Sequence, residues 1–164
     1  MKPRIVHVLL LAAVVSLGGC RQPDGVLPAR VDDVPGRLED LGRDLQNVAP
    51  GDPQAVQDLG DDLAVFTERP AGITAAHALA TTVSSMLVKR TLNGEFVARL
   101  AALLWTVSAA RDLSERQVDA LKDELREMLL SLGVSQQDAN LAAGRVGDVQ
   151  KAVTGRSRSW YERY

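Results

Sequence analysis

With 164 residues, 19 basic and 21 acidic side chains and a net charge of −2, the chain is long enough for one domain with a buried core. It is too close to neutral to carry the basic footprint of a nucleic-acid binder. One cysteine and two histidines leave little for disulfides, thiol catalysis or a cysteine–histidine metal centre, and an aromatic content of 4% with abundant alanine and leucine favours helices over a β-sandwich.

The first twenty residues have an order of their own. Met1-Lys2-Pro3-Arg4 supplies a positive start, Ile5 to Leu17 a mostly apolar run, and Leu17-Gly18-Gly19-Cys20 a close of small residues before the single cysteine. A membrane-spanning helix needs ~20 apolar residues, so the run is short for an anchor and suits a secretory signal. Leu17-Gly18-Gly19-Cys20 resembles the lipobox of bacterial lipoproteins. The resemblance implies that residues 1–19 are a signal peptide, that the Cys20 thiol takes a lipid, and that the mature chain begins there. By the same resemblance, Arg21 rather than an aspartate after the cysteine points to an outer-membrane lipoprotein facing the periplasm. Removing residues 1–19 takes away Lys2 and Arg4, leaving 17 basic and 21 acidic side chains, net −4.

Residues 20–33 read as the lipidated cysteine and a flexible tether, rich in proline and glycine and lacking an apolar period. An all-α domain is expected over 34–155: an antiparallel bundle of about four long helices preceded by a short helical hairpin. The hairpin comes from an 18-residue repeat in which Leu38-Glu39-Asp40-Leu41-Gly42-Arg43-Asp44-Leu45 aligns with Val56-Gln57-Asp58-Leu59-Gly60-Asp61-Asp62-Leu63. Leu38, Leu41, Leu45 and Val48 form one apolar stripe, and Val56, Leu59, Leu63 and Phe66 the other. Asp52-Pro53 reads as a cap and first-turn proline, and Pro70 with Gly72 as the stop of the second helix. Gly42 and Gly60 recur at equivalent places, which predicts a close approach of the two hairpin helices.

Ala76, Leu79, Ala80, Val83, Met86 and Leu87 mark a long helix running towards Asn93-Gly94, and Phe96, Val97, Leu100, Leu103, Leu104 and Val107 mark its successor. Ser114-Glu115-Arg116-Gln117 is a capping box ahead of Val118, Leu121, Leu125, Met128 and Leu129, with a stop at Gly133. Leu113 through Gln117 is also similar to the leucine-threonine-x-x-glutamine motif of small helical periplasmic chaperones and metal-stress sensors, with serine in place of threonine and no second copy. Ser135 opens the last helix, carrying Ala139, Ala142, Val146, Val149 and Val153, and Gly155 closes it.

Two surfaces are candidates for binding. Asp40 with Asp44, and Asp58 with Asp62, lie four residues apart, so each pair shares a helix face; with Asp61 they make an acidic patch suited to a basic partner or a cation. The tail 156–164 holds Arg156, Arg158 and Arg163 with Trp160 and Tyr161, a composition suited to a lipid headgroup zone, an aromatic-rich protein contact or the acidic repeat itself. His77, alone among alanines, reads as a hydrogen-bonded residue at the edge of the core. No nucleophile elbow or phosphate-binding glycine loop is present, and no catalytic residue, metal ligand or cofactor is assigned. The function expected is a non-enzymatic envelope lipoprotein, held to membrane lipid through acylated Cys20 and making protein–protein contacts. A periplasmic chaperone or a metal- or stress-sensing module is the alternative.

Overall fold

The structure is a computed structural model that describes residues 34–67 and 69–155. Cys20, the tether and the segment 156–164 lie outside the described residues. The described part is all-α. Its six helices are α1 (Val34–Val48), α2 (Pro53–Ala64), α3 (Pro70–Leu87), α4 (Gly94–Ala109), α5 (Glu115–Ser131) and α6 (Gln136–Thr154).

The local signals act where capping chemistry requires. The Asp52 carboxylate accepts from the Gln54 N–H at 2.9 Å and Pro53 opens α2, a position where a missing N–H costs no helical bond. Asn93 accepts from the Phe96 N–H at 2.7 Å at the start of α4. Ser114 and Gln117 form a reciprocal capping box on α5, and Ser135 accepts from the Asp138 N–H at the start of α6.

One stop signal reads differently from expectation. Pro70 does not end α2; it is the first residue of α3. The terminator of α2 is Thr67, whose hydroxyl and backbone N–H both donate to the Ala64 carbonyl, at 2.8 and 2.9 Å. Gly72, far from breaking a helix, lets the first turn of α3 lie against Thr67: a Cβ there would stand 2.7 Å from the threonine Cβ. At its other end α3 stops at Leu87, short of Asn93. Lys89 takes a positive φ of 63° and its N–H bonds the Ala49 carbonyl at 2.7 Å, which turns the chain away.

The helices alternate in direction. At one end the α1–α2 turn meets the α3–α4 connection through Lys89 and Ala49, and Arg90 of that connection reaches Leu132 and Gly133 between α5 and α6. At the opposite end the Arg111 guanidinium, between α4 and α5, donates to the Phe66 carbonyl between α2 and α3 at 2.9 Å. There too the Arg69 guanidinium lies beside Gly155, where α6 ends in a left-handed turn. α1 therefore begins, and α6 ends, at this second end.

α1 packs on α2 and α4, and α2 packs on α3, while α6 packs on α3, α4 and α5. The stripes read from the sequence face inward. Leu41, Leu45, Val48, Leu59, Leu63, Leu79, Val83, Leu100, Leu104, Leu125, Leu129, Val146 and Val149 are all fully buried. Each such side chain contributes about 1.5–3 kcal/mol relative to leaving it in water. Leu38, Val56, Phe66, Val118 and Leu121 are half-buried at the margins. The Phe66 ring meets Trp105 edge-on, centroids 6.2 Å apart. Among the described residues no helix is long and apolar enough to cross a membrane.

The two repeat glycines do different work. A Cβ on Gly42 would meet Val97 of α4 at 3.7 Å, an ordinary contact. A Cβ on Gly60 would stand 2.3 Å from Nδ1 of His77, so the close approach is between α2 and α3 rather than within the α1–α2 pair. Gly60→Ala should cost about 1–3 kcal/mol by overpacking, whereas Gly42→Ala should gain up to about 1 kcal/mol from helix propensity. Urea unfolding of both variants checks this, and much of the Gly60→Ala cost should vanish in a His77→Ala background.

Candidate functional site

The acidic patch forms where α1 and α2 run side by side. Spacing by four residues puts Asp40 and Asp44 on one face of α1, and Asp58 and Asp62 on one face of α2. The packing of the two helices brings the four carboxylates within electrostatic reach of one another. Burial, then the charges of Asp62, Asp58 and Asp40, push the Asp44 carboxyl up to about 6, against a small opposing pull from Arg43. Burial also pushes Asp62 up; Arg37 opposes, and Asp40, Asp58 and Asp61 add to the rise.

The outer members of the patch are engaged by neighbours on their own helices. Arg43 pairs with Asp40 at 3.0 Å, Gln54 Nε2 donates to Asp58 at 2.8 Å, and Gln57 Nε2 reaches Asp61 at 3.3 Å. Asp61 faces a different way from the other four. Its Oδ1 lies 3.2 Å from Nε2 of His77 on α3, so the histidine ring stacks over Gly60 and ends on the adjacent carboxylate. His77 is half-buried at the edge of the core, and Asp61 is the partner that its own stretch of sequence does not name. The signal was present in Gly60-Asp61: a residue without a side chain, next to a carboxylate, one helical hairpin away.

Among the described residues no group of three or more histidine, cysteine or carboxylate side chains is arranged to hold a metal ion. The arrangement instead offers a graded acidic face. Its exposed members Asp58 and Asp61 can receive a cationic side chain, and its inner pair Asp44 and Asp62 resist ionisation because water reaches them poorly and like charges surround them.

A second surface feature went unread in the sequence. α5 and α6 leave an open groove of about 900 Å³ between Lys122, Arg126, Leu141, Arg145 and Lys151, with Leu141 51% exposed along it. Its cations are tied to neighbouring carboxylates: Lys122 to Asp119 at 2.9 Å, Arg126 to Asp123, and Arg145 to Asp148 at 3.5 Å. The groove therefore has no strong field of one sign. Cys20 and the group Arg156, Arg158, Trp160, Tyr161 and Arg163 lie outside the described residues. Comparisons with protein-family models, curated proteins and solved structures find no match for this chain.

The raised carboxyls make stability depend on pH, with a definite sign. A carboxyl whose folded pKa exceeds its unfolded value binds more protons in the folded state, so stability falls as pH rises through the interval between them. For Asp44 that interval runs from the ordinary value of 3.8 to about 6. Lowering pH from 7 towards 5 should stabilise the fold by of order 1 kcal/mol once solvent screening is allowed for. Thermal melts across this range check it, and Asp44→Asn with Asp62→Asn should flatten the slope.

Proposed function

We propose that this chain is a membrane-anchored envelope lipoprotein whose helical body makes protein–protein contacts or serves envelope assembly, without catalysing a reaction. The observation that carries the reading is Leu17-Gly18-Gly19-Cys20 at the end of a charged start and an apolar run. A thiolate is the side chain best suited to alkylation, and small residues before it let the chain lie extended in a protease groove. Several acyl chains, at about 0.8 kcal/mol per buried CH₂, hold a domain of this size stably on a bilayer. Arg21 after the cysteine favours the outer membrane, with the domain in the periplasm. The body is then an antiparallel bundle of the four long helices α3 to α6, preceded by the hairpin α1–α2 that presents the acidic face.

The acidic face supports the contact role. Asp58 and Asp61 are exposed, lie on a helix held rigidly by its packing on α3, and suit a basic partner surface. The chaperone or metal-sensing alternative draws on Leu113 to Gln117, and Ser114 and Gln117 are engaged there as a helix cap.

Two measurements test the parts separately. Metabolic labelling with palmitate should mark the wild-type chain and fail on Cys20→Ser; label retained by the variant would remove the anchor. Crosslinking in intact membranes should capture a defined partner, and Asp58→Lys with Asp61→Lys should weaken that complex. A complex indifferent to both reversals would take the contact role away from the α1–α2 face.

A further inference from the structure

Among the described residues only two large apolar side chains stand exposed, Ile73 and Leu141. Leu141 lies on α6, along the groove shared with α5, and Gly144 follows three residues later on the same side of that groove. Glycine inside a helix costs stability relative to alanine, because its backbone has more freedom to lose. Gly60 and Gly72 make room for side chains that lie against them. Gly144 makes room for nothing in its own chain: beyond its own helix, a Cβ there would meet no atom within 4 Å. A leucine without a cover and a glycine without an occupant thus stand side by side.

The exposed face of α6 has a spacing that relates the two. Gln137, Leu141, Gly144 and Asp148 are all exposed and follow one another at steps of four, three and four, one seam along the helix. Those steps read the same in both directions. Two copies of the seam laid antiparallel therefore bring Leu141 of each copy over Gly144 of the other. The same register sets Gln137 opposite Asp148 and Asn140 opposite Arg145, so that carboxylate and guanidinium each meet an amide. Laid parallel, the seams would set Leu141 against Leu141 and Asp148 against Asp148, leaving both glycines uncovered and like charges face to face. Reciprocal contact of this kind, in which each copy gives the other what it receives, is the form of a closed twofold interface.

The remaining charges of the groove do not oppose the pairing. Lys122, Arg126 and Arg145 are held by Asp119, Asp123 and Asp148 of their own helices. A strongly acidic or strongly basic partner has no field to follow there. A surface with the same balanced pattern has amides to set against its charges.

We propose that α6 is a homodimer interface. Two copies of the chain pack antiparallel along Gln137, Leu141, Gly144 and Asp148, and each Leu141 fills the space that Gly144 of the other copy leaves. The seam shares no residue with the acidic face of α1–α2, and the dimer depends neither on that contact nor on the lipid anchor.

In sedimentation equilibrium, the full-length chain in a mild detergent should weigh as a dimer that dissociates on dilution. Leu141→Lys should weaken that dimer at least about tenfold, as expected for a central apolar contact. Gly144→Leu should weaken it as much. Because its site is open within the chain, its melting temperature should not fall below the parent's at dilutions where both are monomeric. A parent that stays monomeric throughout the micromolar range overturns the proposal, and so does a dimer that survives both substitutions. Asp58→Lys with Asp61→Lys, and separately Cys20→Ser, should leave the dimer intact, so failure of the α1–α2 contact or of the anchor is read apart from failure of this interface. In cells, a benzophenone side chain at position 141 should crosslink to the peptide of a second copy that holds Gly144. Crosslinks confined to a different protein assign the face to that protein and overturn the dimer.

Discussion

A helix leaves its last carbonyls without partners, and among the described residues most helix ends here are met by a group from another part of the chain, the end of α3 by the Arg90 that directly follows it. The α1 terminus gives the Ala49 carbonyl to Lys89, beyond α3. The chain leaving α2 gives Phe66 to Arg111. Arg90 takes Met86 at the end of α3 and Leu132 and Gly133 at the end of α5. Gln150 of α6, only 3% exposed, donates to Val107 and Ala110 at the end of α4. Arg69 places its positive charge against the end of α6, where the helix dipole is negative. Apolar burial supplies most of the stabilisation, but these latches fix which ends meet and hence the alternation of direction.

That constraint also explains what could be read from the chain and what could not. Stripes such as Ala139, Ala142, Val146, Val149 and Val153 are local repeats at 3.6-residue spacing, and all five are buried. The caps at Asp52, Ser114 and Ser135 act within three residues and were equally legible. The latches are not local. Gln150 and Val107 are 43 residues apart, and a glutamine between two core valines carries no mark of where its amide will go. Pro70 misled for a related reason. A proline beside a glycine is punctuation in either direction, and only the bond between Thr67 and Ala64 shows which helix it belongs to.

The repeat shows a further limit. Its two copies are alike in sequence, yet Gly42 faces a valine at comfortable distance and Gly60 lies under a histidine ring. Likeness along the chain fixes the face of a helix, not what the fold lays against it. The same asymmetry divides the acidic patch: Asp61 turns to His77 while Asp44 and Asp62 stay among carboxylates. The convergence of four carboxylates followed from spacing plus a hairpin and was foreseeable; the diversion of the fifth was not.

Arg90 is a shared donor. One guanidinium holds the ends of two helices, α3 and α5, that belong to different hairpins. Neither terminus can fray without disturbing the other's partner, so local opening at that end is a joint event rather than two independent ones. Amide protons in the last turns of α3 and α5 then belong to one protection class, and the unit that opens cuts across the hairpins that chain order suggests.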